Sequence, residues 1–443
     1  MKSHKLYNNN MKRYKIISML IVSVAMFVSC TEDDGPTIDD HFLNYEIPDV
    51  PVKENCVVGV YLLNNGSGGQ SDAIWGRLTS TQFDPAAQQY SPGLQPVAGN
   101  WKHGNFNYTQ TEVCKAMVAT FQQYVDWALE AGIDFIILPL LGENANALYP
   151  NNLNVNDAKF YDIFTGKLGS DGLPPGQTTG TRVDLKGLKY VVMVNSGNFT
   201  GSLNQTTPIE NIAATTIEGV VTSRVQRFYE YMRRVSDYFA DENYFTVNGK
   251  PMVVFGGTPH NFYALDTRAF YDGMRSHVKT ASGKDVYIVA QQDAWTPSPR
   301  FQYTFGEGRV DAVTTKNEGG MYNNTNSART TMYPQFIDQN WNYNKNFLWD
   351  TWQEDFIPSV FPAYDRWVQS GGNYNLPIVR HDPETFITIC NVAKRNLGKN
   401  RIVFIDSFND WRYATSIEPT DPAYGSGYGT KYLEIVKQQF KVK

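Results

Sequence analysis

The stretch "RIVFIDSFNDWRYATSIEPT", residues 401–420, opens as a buried strand and ends in a crowd of aromatic, amide and charged side chains. Its head, "RIVFIDSF" (401–408), is the last of eight short apolar runs in the chain. The others are "VVGVYLL" (57–63), "IDFIILPL" (133–140), "LKYVVMVN" (188–195), "PMVVFGG" (251–257), "VYIVAQQ" (286–292), "VDAVTTK" (310–316) and "FIPSVFPAY" (356–364). Continuous apolar runs, unlike alternating ones, describe strands buried on both faces, which is the situation of parallel strands.

Between the runs lie amphipathic stretches. In "TEVCKAMVATFQQYVDWALEAG" (111–132) Val113, Met117, Phe121, Tyr124 and Ala128 recur at helical spacing, and Gly132 supplies the stop. Similar stretches lie near 218–240, 265–280, 328–347, 383–397 and 429–441. Residues 141–187, rich in Gly, Asn and Pro, read as a long excursion over one end of the molecule. Eight buried strands with interleaved helices predict an α/β fold, a (β/α)8 TIM barrel forming a single large domain over 55–443. A doubly wound open sheet is the alternative.

The first thirty residues concern address rather than fold. Lys2, Lys5, Lys12, Arg13 and Lys15 precede an apolar run, Ile16 to Val28, too short to span a bilayer as a mature helix. It reads as a signal peptide over 1–29. The closing "FVSC" resembles a bacterial lipobox with Cys30 as the lipidated residue, and the following "TEDDG" resembles the acidic surface-export signal of Bacteroidetes lipoproteins. An ordinary cleaved signal is the plainer reading. Residues 30–54 then form the lipidated Cys and a flexible tether, and the expected location is the outer membrane, exposed at the cell surface.

The whole chain carries a net charge of −5, and the five positive charges of the leader are unbalanced there, so the remainder stands near −10. Nucleic acid is therefore an unsuitable partner. Cys56, Cys114 and Cys390 are too few and too scattered for a disulfide framework or a zinc site, so no metal or cofactor is expected. The 27 Tyr, 25 Phe and 9 Trp exceed what a core of this size requires, which suits stacking on sugars or a tyrosine-rich surface.

Barrels of this kind place their chemistry where the strands end. The residues at or past the ends of the runs are Tyr61, Asn64, Glu143, Asn195, His260, Gln292, Asp293, Trp295, Asn317, Glu318, Tyr364, Asp365, Asn409, Asp410, Trp411 and Tyr413. Amides, carboxylates and aromatic rings together are what a sugar site needs: planar hydrogen-bonding groups, stacking faces and acid–base groups.

Residues 56–443 resemble the glycoside hydrolase family 99 domain, the endo-α-mannosidase-like family. The likeness rests on "VVGVYLL", "ALEAGIDFIILP", "GKPMVVFGGTPH", "FIPSVFPAYDRW" and above all "SFNDWRYATSIEPT" followed by "GYGTKYLEIVK". In that family the last strand runs into Asn-Glu-Trp-X-Glu-Gly-Thr and then Ile/Leu-Glu-Pro. The resemblance implies that Asp410 stands for the carboxylate assisting the sugar 2-hydroxyl, and that Asn409, Trp411, Glu418 and Pro419 match the motif. Tyr413 departs from it, occupying the place of the general acid. A phenol with a pKa about 10 is a poor substitute for a carboxylic acid tuned near 6. Glu318 and Glu143 are the carboxylates best placed by strand-end position to join Asp410 as catalytic residues. Tyr61, Asn195, His260, Trp295, Asn409, Trp411, Tyr413 and Glu418 are the expected substrate-binding residues. Plainer roles stay open: Asp410 as a turn cap, Trp411 and Trp295 as packing, His260 as a loop residue.

Two functions follow. One is a surface-anchored, endo-acting hydrolase of an α-linked, mannan-like polysaccharide or oligosaccharide, expected to be a monomer. The other is a non-catalytic glycan-binding lipoprotein that keeps the groove and has lost the acid. The capacity of such barrels to host many chemistries through loop change favours the first, since fold alone decides nothing.

Overall fold

The computed structural model describes residues 43–63, 72–80, 82–84, 89–91, 93–99, 111–165, 183–257, 259–292, 302–315, 332–364, 367–370, 379 and 381–442. The chain divides into two units, Met1–Glu46 and Ile47–Lys443. Among the described residues no helix is long and apolar enough to cross a membrane.

Among the described residues, the second unit is built on nine parallel strands: β1 Val57–Tyr61, β2 Phe135–Leu141, β3 Lys189–Asn195, β4 Lys250–Gly256, β5 Tyr287–Gln292, β6 Ala312–Thr315, β7 Asp355–Ile357, β8 Ser359–Val360 and β9 Ile402–Ile405. They pair in the order β7-β6-β5-β4-β3-β2-β1-β9-β8. The last two short segments explain how nine strands make eight staves. β7 pairs with β6 and β8 pairs with β9, and only Pro358 separates them. The Pro358 carbonyl accepts from the Phe404 amide at 2.9 Å, so the interrupted stave carries the ladder from one end of the sheet to the other. The sheet closes into a (β/α)8 barrel, and the open doubly wound alternative is excluded. Each of the eight apolar runs overlaps one stave.

Among the described residues, eight helices of at least eight residues accompany the strands: α1 Asp72–Thr79, α2 Thr111–Glu130, α3 Val155–Thr165, α4 Arg224–Val235, α5 Thr267–Ser282, α6 Tyr333–Trp352, α7 Pro383–Arg395 and α8 Lys431–Phe440. Their ends follow local chemistry. Ser223 and Gln226 form a reciprocal capping box on α4, Asp266 caps α5 through the Ala269 amide, and Asp382 caps α7 just before Pro383. Gly132 stops α2 at φ +72°, a conformation costly for other residues. The 141–187 stretch is not wholly irregular, because it contains α3. There Phe160, Tyr161 and Phe164 are buried, and Tyr161 donates its hydroxyl to the Pro139 carbonyl at 2.6 Å. Gly and Asn around this helix mask its apolar stripe in the sequence.

The core has two shells. An inner cluster, including Phe135, Ile137, Val191, Met193, Met252, Val254, Tyr287, Val289, Ala312, Ile357, Ile402 and Phe404, fills the barrel. An outer cluster, drawn from the alternate strand residues such as Val58, Val60, Val192, Val253, Val403 and Ile405, lies beneath the helices. This is the packed interior expected of eight strands. Phe245 stacks on Phe135 at 4.1 Å near the strand starts, and Gly59 is required by the same ring: a Cβ there would come within 2.4 Å of it.

Candidate functional site at the C-terminal end of the barrel

The exit of β9 is a folded-back loop rather than a simple turn. Phe408 continues the ladder beside β1 by donating to the Tyr61 carbonyl (2.8 Å). The chain then reverses, with the Ser407 amide on Thr415, Ile417 on Ser407 and Glu418 on Phe408. Ala414, at φ +61°, takes the left-handed turn that allows it. Asn409 fixes the loop to the β1 exit, since its Oδ1 accepts from the Leu63 amide (2.9 Å) and its Nδ2 donates to the Leu63 carbonyl (3.1 Å). A side-chain amide offers one donor and one acceptor to an extended backbone, which is why Asn suits this position.

Asp410 is anchored and paired. Its amide donates to Ser407 Oγ at 2.7 Å, and its Oδ1 accepts from the Arg412 amide at 3.0 Å. The Arg412 guanidinium grips both carboxylate oxygens, Nε on Oδ1 and Nη2 on Oδ2, each at 2.9 Å. Asp410 is buried while Arg412 is half-buried, so the pair has one solvent-facing side. This is a planar, charge-assisted fork.

Trp411 and Glu418 brace the loop from beneath. Trp411 is buried with Trp75, Leu78 and Val368, and its Nε1 donates to Glu418 Oε2 (2.9 Å). Tyr124 of α2 donates to Glu418 Oε1 (3.0 Å). Burial pushes the Glu418 carboxyl up to about 8, against the opposing pull of those two hydrogen bonds. Glu418 is therefore a buried brace that ties the loop to a helix.

Tyr413 is half-buried, and its ring stacks on Tyr364 with centroids 5.7 Å apart and planes 10° apart. The Arg412 guanidinium lies 5.5 Å from its centroid. The residue in the family's acid position is thus part of an aromatic pair.

Glu143 is committed elsewhere. Arg227 of α4 donates from Nε to Oε1 (2.8 Å) and from Nη2 to Oε2 (2.6 Å), and both side chains are buried. Tyr61 ends the inner column of β1 and packs edge-on against Phe404 at 5.5 Å. Asn195, half-buried at the end of β3, lies against two glycines. A Cβ on Gly257 would come within 2.7 Å of its Oδ1, and one on Gly197 within 3.1 Å. Asn64, Asp293, Trp295, Asn317, Glu318, Asp365 and the side chain of His260 lie outside the described residues.

A further set was missed because it lies inside the apolar runs. The inner columns of the barrel change from apolar to polar in their last position: Tyr287 and Val289 lead to Gln291, Ala312 to Thr314, Ile357 to Ser359, and Ile402 and Phe404 to Asp406. Gln291 and Thr314 face each other in register, as do Asn195 and Gly256 on the neighbouring pair. All four new residues are buried. Thr314 Oγ1 has no hydrogen-bond partner among the described residues. The signal was available, namely one polar residue at an inward position in four of the eight runs. Among the described residues no group of three His, Cys, Asp or Glu side chains is placed to hold a metal ion.

With this geometry in place, comparisons with known proteins are informative. The family model described as glycosyltransferase WbsX matches residues 222–436. No curated protein matches the sequence. Among solved structures, one titled a glycoside hydrolase-like protein is 23% identical, covering 91% of this chain and 99% of its own, with a TM-score of 0.67. The family 99 endo-α-mannosidase from Bacteroides thetaiotaomicron is 14% identical over 86% of this chain and 96% of its own, with a TM-score of 0.50. The chain is a (β/α)8 barrel related in fold to the family 99 endo-α-mannosidase and to the glycoside hydrolase-like protein, and its residues 222–436 match the WbsX family model.

Proposed function

We propose that this barrel binds an α-linked, mannan-like glycan across the C-terminal ends of its strands and hydrolyses it internally. The observation that carries the reading is the switch from an apolar to a polar inner layer at that end, where Asn195, Gln291, Thr314, Ser359 and Asp406 converge. An eight-stranded barrel is narrow, so residues on its inner face point at one another. Sugar hydroxyls are suitable ligands for such a layer, and the stacked Tyr364–Tyr413 pair supplies an aromatic component. The WbsX description names glycosyl transfer and the structural relative names an endo-α-mannosidase. Both concern glycosidic bonds, and the likeness to the endo-α-mannosidase supports the hydrolytic reading.

A second reading, a glycan binder without turnover, is favoured by Tyr413 in the acid position and by the Arg412 fork on Asp410. The two separate on one measurement. Incubation with a panel of α-linked glycans, α-mannan included, should release new reducing ends. Binding without any release across the panel would leave only the second reading.

The leader is part of the same proposal. Cys30 as a lipidated residue would hold the barrel at the outer-membrane surface, where polysaccharide is met. Cys30→Ser should yield soluble protein or an unprocessed precursor; normal processing with unchanged membrane retention would remove this element.

A further inference from the structure

We propose that the outer face of α6 is a second glycan-binding site, a platform that holds an uncharged stretch of polysaccharide on the flank of the barrel, apart from the mouth. The inference rests on the glycan reading above and not on turnover.

The helix carries "FIDQNWNYNKNFLW" over residues 336–349. Helical periodicity buries Ile337, Trp341, Asn344 and Leu348 and turns two neighbouring rows outward. One row is aromatic, with Phe336, Tyr343 and Phe347 at positions i, i+7 and i+11. Tyr343 is 49% exposed and Phe347 is half-buried. Their rings are parallel to within 8° with centroids 5.5 Å apart, an offset pair. Trp352 braces Phe347 edge-on at 5.1 Å, so the second ring is fixed from beneath. The other row is Gln339, Asn342 and Asn346, at i, i+3 and i+7, all exposed. Asn346 Nδ2 donates to Asn342 Oδ1 at 3.3 Å, which sets the two amides side by side.

Helix stability alone would select a different surface. Exposed helix positions suit Glu, Lys and Arg, and Asn is a poor helix former. Between Tyr333 and Trp349 the charged residues are Asp338 and Lys345, and both turn elsewhere. Asp338 is buried against Asn396 and Arg395, and Lys345 donates to the Arg395 carbonyl at 3.2 Å. The outer face therefore presents neutral donors and acceptors beside an apolar ring. A pyranose has the matching parts: its C–H face stacks on an aromatic ring, its hydroxyl rim meets planar amides, and it carries no charge to neutralise. A protein partner fits poorly by area. Two rings, each about half covered or more, offer no more than roughly 200 Å², against about 800 Å² per partner in a stable interface.

The platform is separate from the mouth. α6 follows β6, so its first turn lies at the mouth end, and a rise of 1.5 Å per residue puts Tyr343 about 15 Å down the flank. A long chain reaches both places, whereas a short oligosaccharide in the mouth does not. Two modest sites on one polymer raise its apparent affinity without changing how the mouth treats a short ligand.

Affinity electrophoresis through α-mannan and other neutral polysaccharides, with calorimetry on a short α-mannooligosaccharide, compares wild type, Tyr343→Ala and Tyr343→Phe. Tyr343→Ala should weaken polysaccharide binding by about 3- to 10-fold and leave the short ligand within about twofold. Tyr343→Phe, which keeps the ring, should stay near wild type, and Asn342→Ala combined with Asn346→Ala should act in the same direction as Tyr343→Ala. Thermal melting checks that each variant is folded. Unchanged polysaccharide binding in Tyr343→Ala, or equal losses on the two ligands, would overturn the second site and leave the mouth reading intact. A wild type that sediments as a dimer, with Tyr343→Ala a monomer, would assign the face to a second copy of the chain and overturn it as well. A wild type that binds no glycan in the panel would remove the glycan reading and this inference with it.

Discussion

Replacing Glu354 with Gln is expected to stabilise the protein by about 3 kcal/mol at pH 7 and to change its stability little at pH 4. Glu354 sits between α6 and β7, at the strand-start end of the barrel, and is 1% exposed. Neither of its oxygens has a hydrogen-bond partner among the described residues. Its neighbour Asp355 shows the contrast, with oxygens that accept from the amides of Phe356, Lys399 and Asn400 and from Asn400 Nδ2. Burial, reinforced by the negative charge of Asp311, pushes the Glu354 carboxyl up to about 10. Arg275 and Arg309 pull the other way, but Arg275 is already bound to Asp311 at 2.7 Å and Arg309 to Thr267 at 2.7 Å.

The sign follows from which state holds the proton. The folded chain keeps it up to about pH 10, and the unfolded chain releases it near the ordinary value of 4.5. Stability associated with this group is complete below pH 4.5 and is lost as the pH rises toward 10. At pH 7 the gap of about 2.5 pH units corresponds to about 3 kcal/mol. Gln keeps the shape and the buried polarity but has nothing to ionise. Denaturant titrations of both proteins at pH 4 and pH 7 measure the difference directly. A gain that is the same at both pH values would show that Glu354 is not held neutral in the folded chain.

The barrel was legible because parallel strands are buried on both faces and leave an apolar run whatever the helices do. "VYIVAQQ" and "RIVFIDSF" each contain one stave, β5 and β9. "FIPSVFPAY" was less transparent, because Pro358 interrupts it and the two halves pair with different neighbours. The folded loop after β9 was legible in place, but not in what its side chains hold. Looking beyond the runs found Asn409, Trp411 and Glu418, yet their hydrogen bonds go to Leu63, to each other and to Tyr124. A sequence motif marks that a loop is held in one shape; it does not say which of its members face the ligand. Asp406, Gln291, Thr314 and Ser359 were hidden by the same runs that revealed the fold. A single polar residue in an apolar stretch reads as noise until alternation assigns it to the inside of a closed barrel.

Asp410→Asn is expected to lower turnover of an α-linked glycan by about 10² to 10⁴-fold and to leave binding within about tenfold. The size of the effect follows from the role we propose for Asp410, whose carboxylate, forked to Arg412, would accept from a sugar hydroxyl. Each carboxylate oxygen has a second lone-pair direction, so the guanidinium fork on one side leaves room for a hydroxyl on Oδ2. Asparagine preserves the acceptor that the Arg412 amide and Nε use on Oδ1, but it turns an amide NH2 toward Arg412 Nη2 and removes the charge. Because Arg412 is half-buried, water can repay part of that loss, and the stability cost should be about 1 kcal/mol. A loss of turnover far larger than the loss of stability is therefore the expected pattern. If Asp410→Asn kept its turnover within about threefold, the fork would be another brace of the β9 exit, alongside Asn409 and Glu418, and the 2-hydroxyl would require a different acceptor.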